Sequence, residues 1–372
     1  MKVGIVVPYS WSFWGGVVEH AELQAEALGR IGVDTRRIMG NDPPGSFTRA
    51  LHPRLGRHDH PPPDVIPVGR SVIVPANGSL PNIVLSPRSV RRIRRALAHE
   101  RFDVLHVHEP MTPAIAIAAM AMTKIPTVAT FHAHGALGWM KVGKPAWGFL
   151  ADRLDARIAV SPQALETAAR WLPGDYEIIP NGVLIPAEAD AGGREHRVLF
   201  AGRQESRKGL HVLLRAWPQI RKETGARLGI AGADPLAVRL LLARERLDDD
   251  GIDVLGFLSQ EDLTRQLSAA KLFVAPSLGG ESFGMALTRA FACSTPVVAS
   301  DIPGYRDVMT AEAGAVFPAG DERTLAATVT SLLADEAKRR VLGEGARRIA
   351  VERYSWGDIA RRLLAIYERV AA

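Results

Sequence analysis

The stretch Val198-Leu199-Phe200-Ala201-Gly202-Arg203-Gln204-Glu205-Ser206-Arg207-Lys208-Gly209 decides the fold, because it restarts, midway along the chain, the pattern that opens it. Four apolar residues in a row read as a strand covered on both faces. A glycine and a charged turn follow, and then a helical pattern over residues 210–224. The N-terminus begins the same way: residues 3–7 are a continuous apolar run, an aromatic loop (Trp11, Phe13, Trp14) leads to Gly15-Gly16, and residues 19–31 continue at helical spacing.

Strands and helices alternate outward from these two openings. In the first half, strands are predicted at 104–107, 127–130, 157–160 and 176–179, with helices at 113–122 and 164–171. In the second, strands fall at 227–231, 252–255, 272–275 and 296–299, with helices at 236–246, 260–269 and 283–292. That rhythm marks a parallel sheet with helices on its faces, so the chain reads as two doubly wound α/β halves. Its 372 residues exceed what one ordinary core holds. Pro180-Asn181-Gly182 and the Ala, Gly, Asp and Glu-rich run up to Gly193 have the composition of a linker. The expected organisation is a first domain at 1–178, a second at 179–352, and a last helix at 353–372. Ile359, Leu363, Ile366 and Val370 on one face of that helix need a partner surface, expected back across the domain junction.

Composition narrows the class further. The chain is 47% hydrophobic and 23% charged, which excludes disordered and collagen-like proteins. Its single cysteine, Cys293, excludes an intrachain disulfide framework; set among Ala290, Phe291 and Ala292, it reads as a small buried hydrophobe, and the cytoplasm is the expected compartment. The opening apolar run is short for a signal peptide, and the longest span candidate, residues 111–122, falls well below the ~20 residues a membrane helix needs.

The net charge of +6 gains meaning from its clustering. Arg91, Arg92, Arg94 and Arg95 share a helical segment with Val90, Ile93, Ala96 and Leu97 on another face. Two readings stand, a solvated surface face and attachment to an anionic bilayer, where each arginine contributes about 1 kcal/mol near the surface. Nucleic acid is not an expected partner, because no aromatic platforms are interleaved with the arginines.

Three places carry candidate chemistry. Gly15-Gly16 opens a helix whose first N–H groups can face a phosphate, although a plain tight turn has the same sequence. Arg203 and Lys208 follow a parallel strand, at the edge where α/β sheets bind ligands, and two cations there can neutralise a departing diphosphate; ordinary surface cations are the alternative. Glu281, before Ser282-Phe283-Gly284 and a helix, can accept hydrogen bonds from sugar hydroxyls; a capping turn is the alternative.

Taken in order, residues 1–16, Asn77-Gly78-Ser79, the run from Phe102 to Pro110, Ala129-Thr130-Phe131-His132, residues 179–183, 202–209 and 278–284 resemble glycosyltransferase family four, most of all the actinobacterial phosphatidylinositol mannosyltransferases. The resemblance covers nearly the whole chain. It implies a GT-B fold with two Rossmann-like domains facing a cleft, and retaining transfer of a hexose, mannose first, from a nucleotide sugar such as GDP-mannose to a lipid or polyol-phosphate acceptor. No protein-held metal or cofactor is implied. By similarity His132 lies beside the transferred sugar, Gly15 and Gly16 face its phosphates, Arg203 and Lys208 hold the diphosphate and Glu281 the sugar hydroxyls, with Ser282, Phe283 and Gly284 following. Tyr9 and Asn77 fall on the acceptor side, and the basic helix matches the family's membrane-docking segment, which places the enzyme on the inner face of the cell membrane.

The chain departs from the family at three positions. Arg289 stands where a second glutamate usually holds the ribose, and Asn82 and Leu137 stand where the phosphatidylinositol enzymes usually carry an arginine and a lysine. These departures leave a UDP-sugar donor, a different acceptor, or a weakened nucleotide-sugar-binding homologue as alternatives.

Overall fold

Strand β1 (Lys2–Ser10) lies at the middle of the first sheet, which explains its unbroken apolar sequence: Val3, Ile5, Val6 and Val7 have no exposed surface. The computed structural model describes residues 1–13, 15–51, 60–74, 81–133, 144–187 and 193–372. β1 is followed by α1 (Gly16–Arg30), β2 (Asp34–Gly40), α2 (Ser46–Leu51), β3 (Val65–Gly69), two short strands β4 (Val72–Ile73) and β5 (Asn82–Ile83), and α3 (Pro87–Glu100). Then come β6 (Val104–His108), α4 (Ile115–Met122), β7 (Thr127–Phe131), β8 (Ala156–Ala159) and β9 (Glu177–Ile178). The main sheet runs β3-β2-β1-β6-β7-β8-β9, all parallel, while β5 pairs antiparallel with both β4 and β1.

The second sheet is parallel as well. Its order is β12 (Ile252–Gly256), β11 (Arg227–Ala231), β10 (Glu195–Ala201), β13 (Ala270–Ala275), β14 (Val297–Ser300), β15 (Gly314–Phe317). The chain divides into two compact units, Met1–Gly182 with Trp356–Ala372, and Val183–Ser355.

The last helix, Trp356–Ala371, therefore belongs to the first unit. Its buried face (Trp356, Ile359, Ala360, Leu363, Ile366, Tyr367) joins one core with Val18, Ala21, Ala25 and Leu28 of α1 and with Val3, Ile5 and Val7 of β1. Each fully buried side chain of leucine size contributes about 1.5–3 kcal/mol, so this face fixes the helix firmly. Arg362 adds a hydrogen bond to the Ile178 carbonyl at 2.8 Å, and Arg369 pairs with Glu177.

Some elements differ from the expectation. The helix expected at 283–292 is Met285–Ala292, because Gly284 takes φ +78° and holds the chain out of the helix until the next residue. The helix expected at 113–122 starts at Ile115, after Ala114 at φ 71°. β2 was not expected, since charged residues interrupt its apolar pattern: Arg37 is buried in it and forms ion pairs with Asp64 at 2.6 Å and Glu22 at 3.2 Å. β3, β15 and the helices Glu322–Ala334 and Glu336–Tyr354 were also unforeseen.

Candidate functional site

In the first unit, β6 and β7 run parallel with His108 opposite Thr130, so their carboxyl ends bring His108, Glu109 and His132 together. His108 Nδ1 lies 2.9 Å from His132 Nε2. Glu109, held at φ 48°, turns its carboxylate back to accept the His132 backbone N–H at 2.8 Å. α1 contributes His20, one turn inside the helix that Gly15 and Gly16 open; its ring centroid is 4.8 Å from that of His132 and 5.3 Å from that of His108. Gly15 is extended at the N-cap, and both glycines are exposed, with open space around the position a Cβ would take at Gly15.

His106 stands two residues before His108 on the same face of β6, and the two rings stack with centroids 4.6 Å apart. Its Nδ1 accepts from Gln24 Nε2 at 3.0 Å and lies 2.5 Å from the Tyr367 hydroxyl, while its Nε2 meets Thr130 Oγ1 at 2.7 Å. Gln24 Nε2 also donates to Tyr367 at 2.9 Å. A hydrogen-bonded chain thus runs from the last helix to the end of β7.

Burial sets the charge of this cluster. Desolvation lowers His20 to about 4, against hydrogen bonding from Asn181 and Gln24, and lowers His106 to about 3, with His20 adding to the effect. His108 and His132 are lowered well below the ordinary histidine value for the same first reason, and the neighbouring histidines add to it. All four are neutral at pH 7. Desolvation also raises Glu109 to about 7, against the backbone N–H groups of His132 and Ala133. Tyr9, half-buried beside Glu109 and Thr112, has its hydroxyl held protonated by burial and by that carboxyl.

Among the described residues, His20, His108 and His132 form the one group able to offer three metal-ligand atoms, which lie within 4.8 Å of one another. Nitrogens around a tetrahedral zinc sit about 3.4 Å apart at zinc–nitrogen distances near 2.05 Å. Two of these histidines already share a hydrogen bond, and His20 meets both of them edge-on through its ring. Asn77 and Leu137 lie outside the described residues. Asn82 sits in β5, whose Ile83 pairs with Tyr9, and its Oδ1 is buried without a partner among the described residues.

The second unit gathers its charged residues where β10 and β13 end side by side. Gly209 makes the approach possible: at φ +68°, a Cβ there would stand 1.8 Å from the Pro276 carbonyl oxygen. The Leu278 N–H then bonds the Arg207 carbonyl at 2.7 Å, tying the loop after β10 to the loop after β13. Lys208 Nζ meets Glu281 Oε1 at 2.7 Å, and Arg207 Nη1 reaches the same oxygen at 2.9 Å and the Gly280 carbonyl at 2.9 Å. Glu205 joins Arg207 at 2.7 Å and Arg203 at 3.1 Å.

Gly304 lets the helix Pro303–Arg306 lie on the Glu281 backbone, whose carbonyl oxygen would be 2.0 Å from a Cβ. Gly284 packs against Tyr305, whose hydroxyl lies 2.8 Å from Ser277. The Phe283 ring is buried against Tyr354, and Ser282 is half-buried. Arg289 is half-buried on the helix Met285–Ala292, and Cys293 after it is buried with its thiol pushed up by desolvation. Arg207, His20, His108 and Tyr367 were not singled out from sequence. A histidine one turn after Gly16 and a His-x-His pair on one face of a strand were the available signals.

On α3, the Ser86 hydroxyl caps the Arg88 N–H at 3.2 Å and Pro87 starts the first turn. Arg91, Arg92, Arg94 and Arg95 are all exposed, whereas Ile93, Ala96 and Leu97 lie in the first unit's core. The apolar stripe is thus already covered by the protein. No described helix is long and apolar enough to cross a membrane.

Two sheets flanked by helices, together with the solved structures they align with, make this a GT-B fold, one of the folds of glycosyltransferases. The structure aligns with sucrose-phosphate synthase from Thermosynechococcus elongatus at a TM-score of 0.75 and 22% identity, covering 99% of this chain and 98% of that one. It aligns with Anabaena HepE, solved with UDP and glucose, at 0.73 and 20% identity, covering 99% and 100%. Residues 14–184 match the family described as Glycosyltransferase Family 4, and residues 195–335 match Glycosyl transferases group 1. The chain belongs to glycosyltransferase family 4 and is a glycosyltransferase. It is 34% identical to the phosphatidyl-myo-inositol mannosyltransferase of Mycobacterium leprae, over 100% of this chain and 97% of that protein. It is 31% identical to the enzyme of the same name from Propionibacterium freudenreichii, over 99% and 94%.

Proposed function

We propose that this protein is a retaining mannosyltransferase that uses GDP-mannose as donor and a phosphatidylinositol-like lipid as acceptor, at an anionic membrane surface on the cytoplasmic side. The observation that carries the reading is the cluster of three cations, Arg203, Arg207 and Lys208, held by two carboxylates at the carboxyl ends of β10 and β13: Arg207 and Lys208 meet Glu281, and Arg203 and Arg207 meet Glu205. The full-length similarity to the phosphatidyl-myo-inositol mannosyltransferases supports the choice of substrates.

Arg203 and Lys208 hold the diphosphate and stabilise its charge as the bond from the anomeric carbon to phosphate oxygen breaks, the electron pair leaving with that oxygen. The acceptor hydroxyl oxygen forms its new bond on the same face of the anomeric carbon, and its proton passes to the departing phosphate oxygen. Glu281 accepts hydrogen bonds from the sugar hydroxyls, and His132 serves the transferred sugar. This scheme asks no metal of the protein, because the cations do the work of charge neutralisation. The Gly15-Gly16 helix start supplies N–H groups to an anion, and Tyr9 and Asn77 serve the acceptor.

A thermal-shift panel tests the donor. GDP and GDP-mannose raise the melting temperature while UDP, UDP-glucose and UDP-N-acetylglucosamine leave it unchanged. Stabilisation by the UDP compounds alone would overturn the donor assignment and favour a second reading, in which Arg289 fits the site to another nucleotide.

A further inference from the structure

His108 and His132 share one hydrogen bond, and the direction of that bond decides what His132 can do. Of the two nitrogens 2.9 Å apart, one must carry the proton and the other must be bare. Suppose that His132 Nε2 donates. The neutral His108 ring must then carry its own proton on Nε2, which is buried and has no hydrogen-bond partner among the described residues, and a buried N–H without an acceptor is among the rarest and costliest defects in a folded protein.

If His108 Nδ1 donates instead, only a bare nitrogen is left unpartnered. His108 has no exposed surface, and its ring is held in plane by stacking on His106, itself fixed by Gln24, Tyr367 and Thr130. The Nδ1–H is therefore aimed at His132 by a rigid support.

We infer that His108 is a positioning residue that donates through Nδ1 to His132 Nε2 and so holds His132 as its Nδ1–H tautomer. His132 then meets the transferred sugar as a hydrogen-bond donor, with its Nε2 already occupied, and does not act as a base. The inference rests on the proposed placing of His132 at the sugar. The neutral state that burial imposes on both rings agrees with it.

The test reads the proton first and the rate second. In full-length protein labelled with ¹⁵N-histidine, long-range proton–nitrogen correlations, assigned by their loss in His132→Ala, show His132 with a bare Nε2 and a protonated Nδ1. His108→Asn, whose side-chain amide can donate from nearly the same position, keeps that tautomer and keeps kcat within about threefold, whereas His108→Leu loses the tautomer preference and about tenfold in kcat with KM for the nucleotide sugar changed less.

A proton on His132 Nε2 in the unsubstituted protein overturns the inference, whatever the rates. So do unchanged His132 signals and kcat in folded His108→Leu; should that variant not fold, the tautomer of the unsubstituted protein and the His108→Asn result decide. Full transfer activity in His132→Ala would instead overturn the placing of His132 at the sugar, while the spectra still report the hydrogen bond.

Discussion

Lys208 and Glu281 form an ion pair at 2.7 Å within the second unit, so the cation assigned to the diphosphate and the carboxylate assigned to the sugar neutralise one another before any donor arrives. Arg207 reaches the same carboxylate oxygen at 2.9 Å. A nucleotide sugar must share Lys208 with Glu281, whereas a bare diphosphate meets the carboxylate only as a competitor. Glu281→Gln therefore binds GDP about threefold to tenfold more tightly, the worth of roughly 1 kcal/mol of part-buried charge interaction, yet transfers sugar more slowly. Lys208→Ala loses about 100-fold or more in kcat/KM with little change in melting temperature. Calorimetric titration with GDP and steady-state kinetics check both; weaker GDP binding by Glu281→Gln contradicts the competition.

Gly209 carries the loop that places Lys208. Gly209→Ala sets a Cβ against the Pro276 carbonyl at a left-handed backbone angle, and the loop must shift by more than an ångström to accept it. The expected cost is about 1–3 kcal/mol in urea unfolding together with weakened GDP binding. A variant of unchanged stability and affinity would show that the loop closes by another route.

Tyr367 tests the tie between the last helix and the histidine cluster. Tyr367→Phe keeps the ring in the core but leaves Gln24 and His106 without their shared hydroxyl, at a cost of about 1–3 kcal/mol. Denaturant unfolding measures it, and a change below about 0.5 kcal/mol argues against a role for the hydroxyl.

The buried histidines make stability depend on pH with a definite sign. A histidine lowered in the folded state, as His20 is to about 4 and His106 to about 3, contributes fully above its ordinary value of 6.5, and that contribution is lost as pH falls toward the folded value. Glu109, raised to about 7, acts oppositely between its ordinary 4.5 and 7, but it is one group against four. Melting temperature is expected to fall steadily from pH 6.5 to pH 4, and His20→Gln to flatten the slope. A melting temperature constant over that window contradicts the neutral cluster.

On α3 the apolar stripe lies in the core and the arginines remain outside, so binding to anionic vesicles is expected to be electrostatic. Changing Arg91, Arg92, Arg94 and Arg95 to alanine, at about 1 kcal/mol each, reduces vesicle sedimentation strongly, and raised salt does the same to the unsubstituted protein. Sedimentation insensitive to both places the contact elsewhere.

The alternation of apolar runs and helical patterns made the two sheets legible, and glycines before helices pointed to Arg203, Lys208 and Glu281. β2 was hidden because Arg37 is buried there by ion pairs with residues that become its neighbours only on folding. The histidine cluster was hidden for a similar reason: Gln24 and Tyr367 meet across 343 positions, a separation that no local spacing reports. Arg207 stands next to Lys208 in the sequence, but its place at Glu281 follows only from the closing of the loops after β10 and β13 on each other. The amphipathic pattern of α3 showed its two faces but not which of them the core had claimed.

Incubation of the purified protein with radiolabelled GDP-mannose and vesicles containing phosphatidylinositol tests the central claim most directly. The account predicts a mannosylated lipid with the α-configuration of the donor, formed by the unsubstituted protein and not by Lys208→Ala. No product from GDP-mannose, with transfer from a UDP-sugar or to a soluble acceptor in its place, would contradict it.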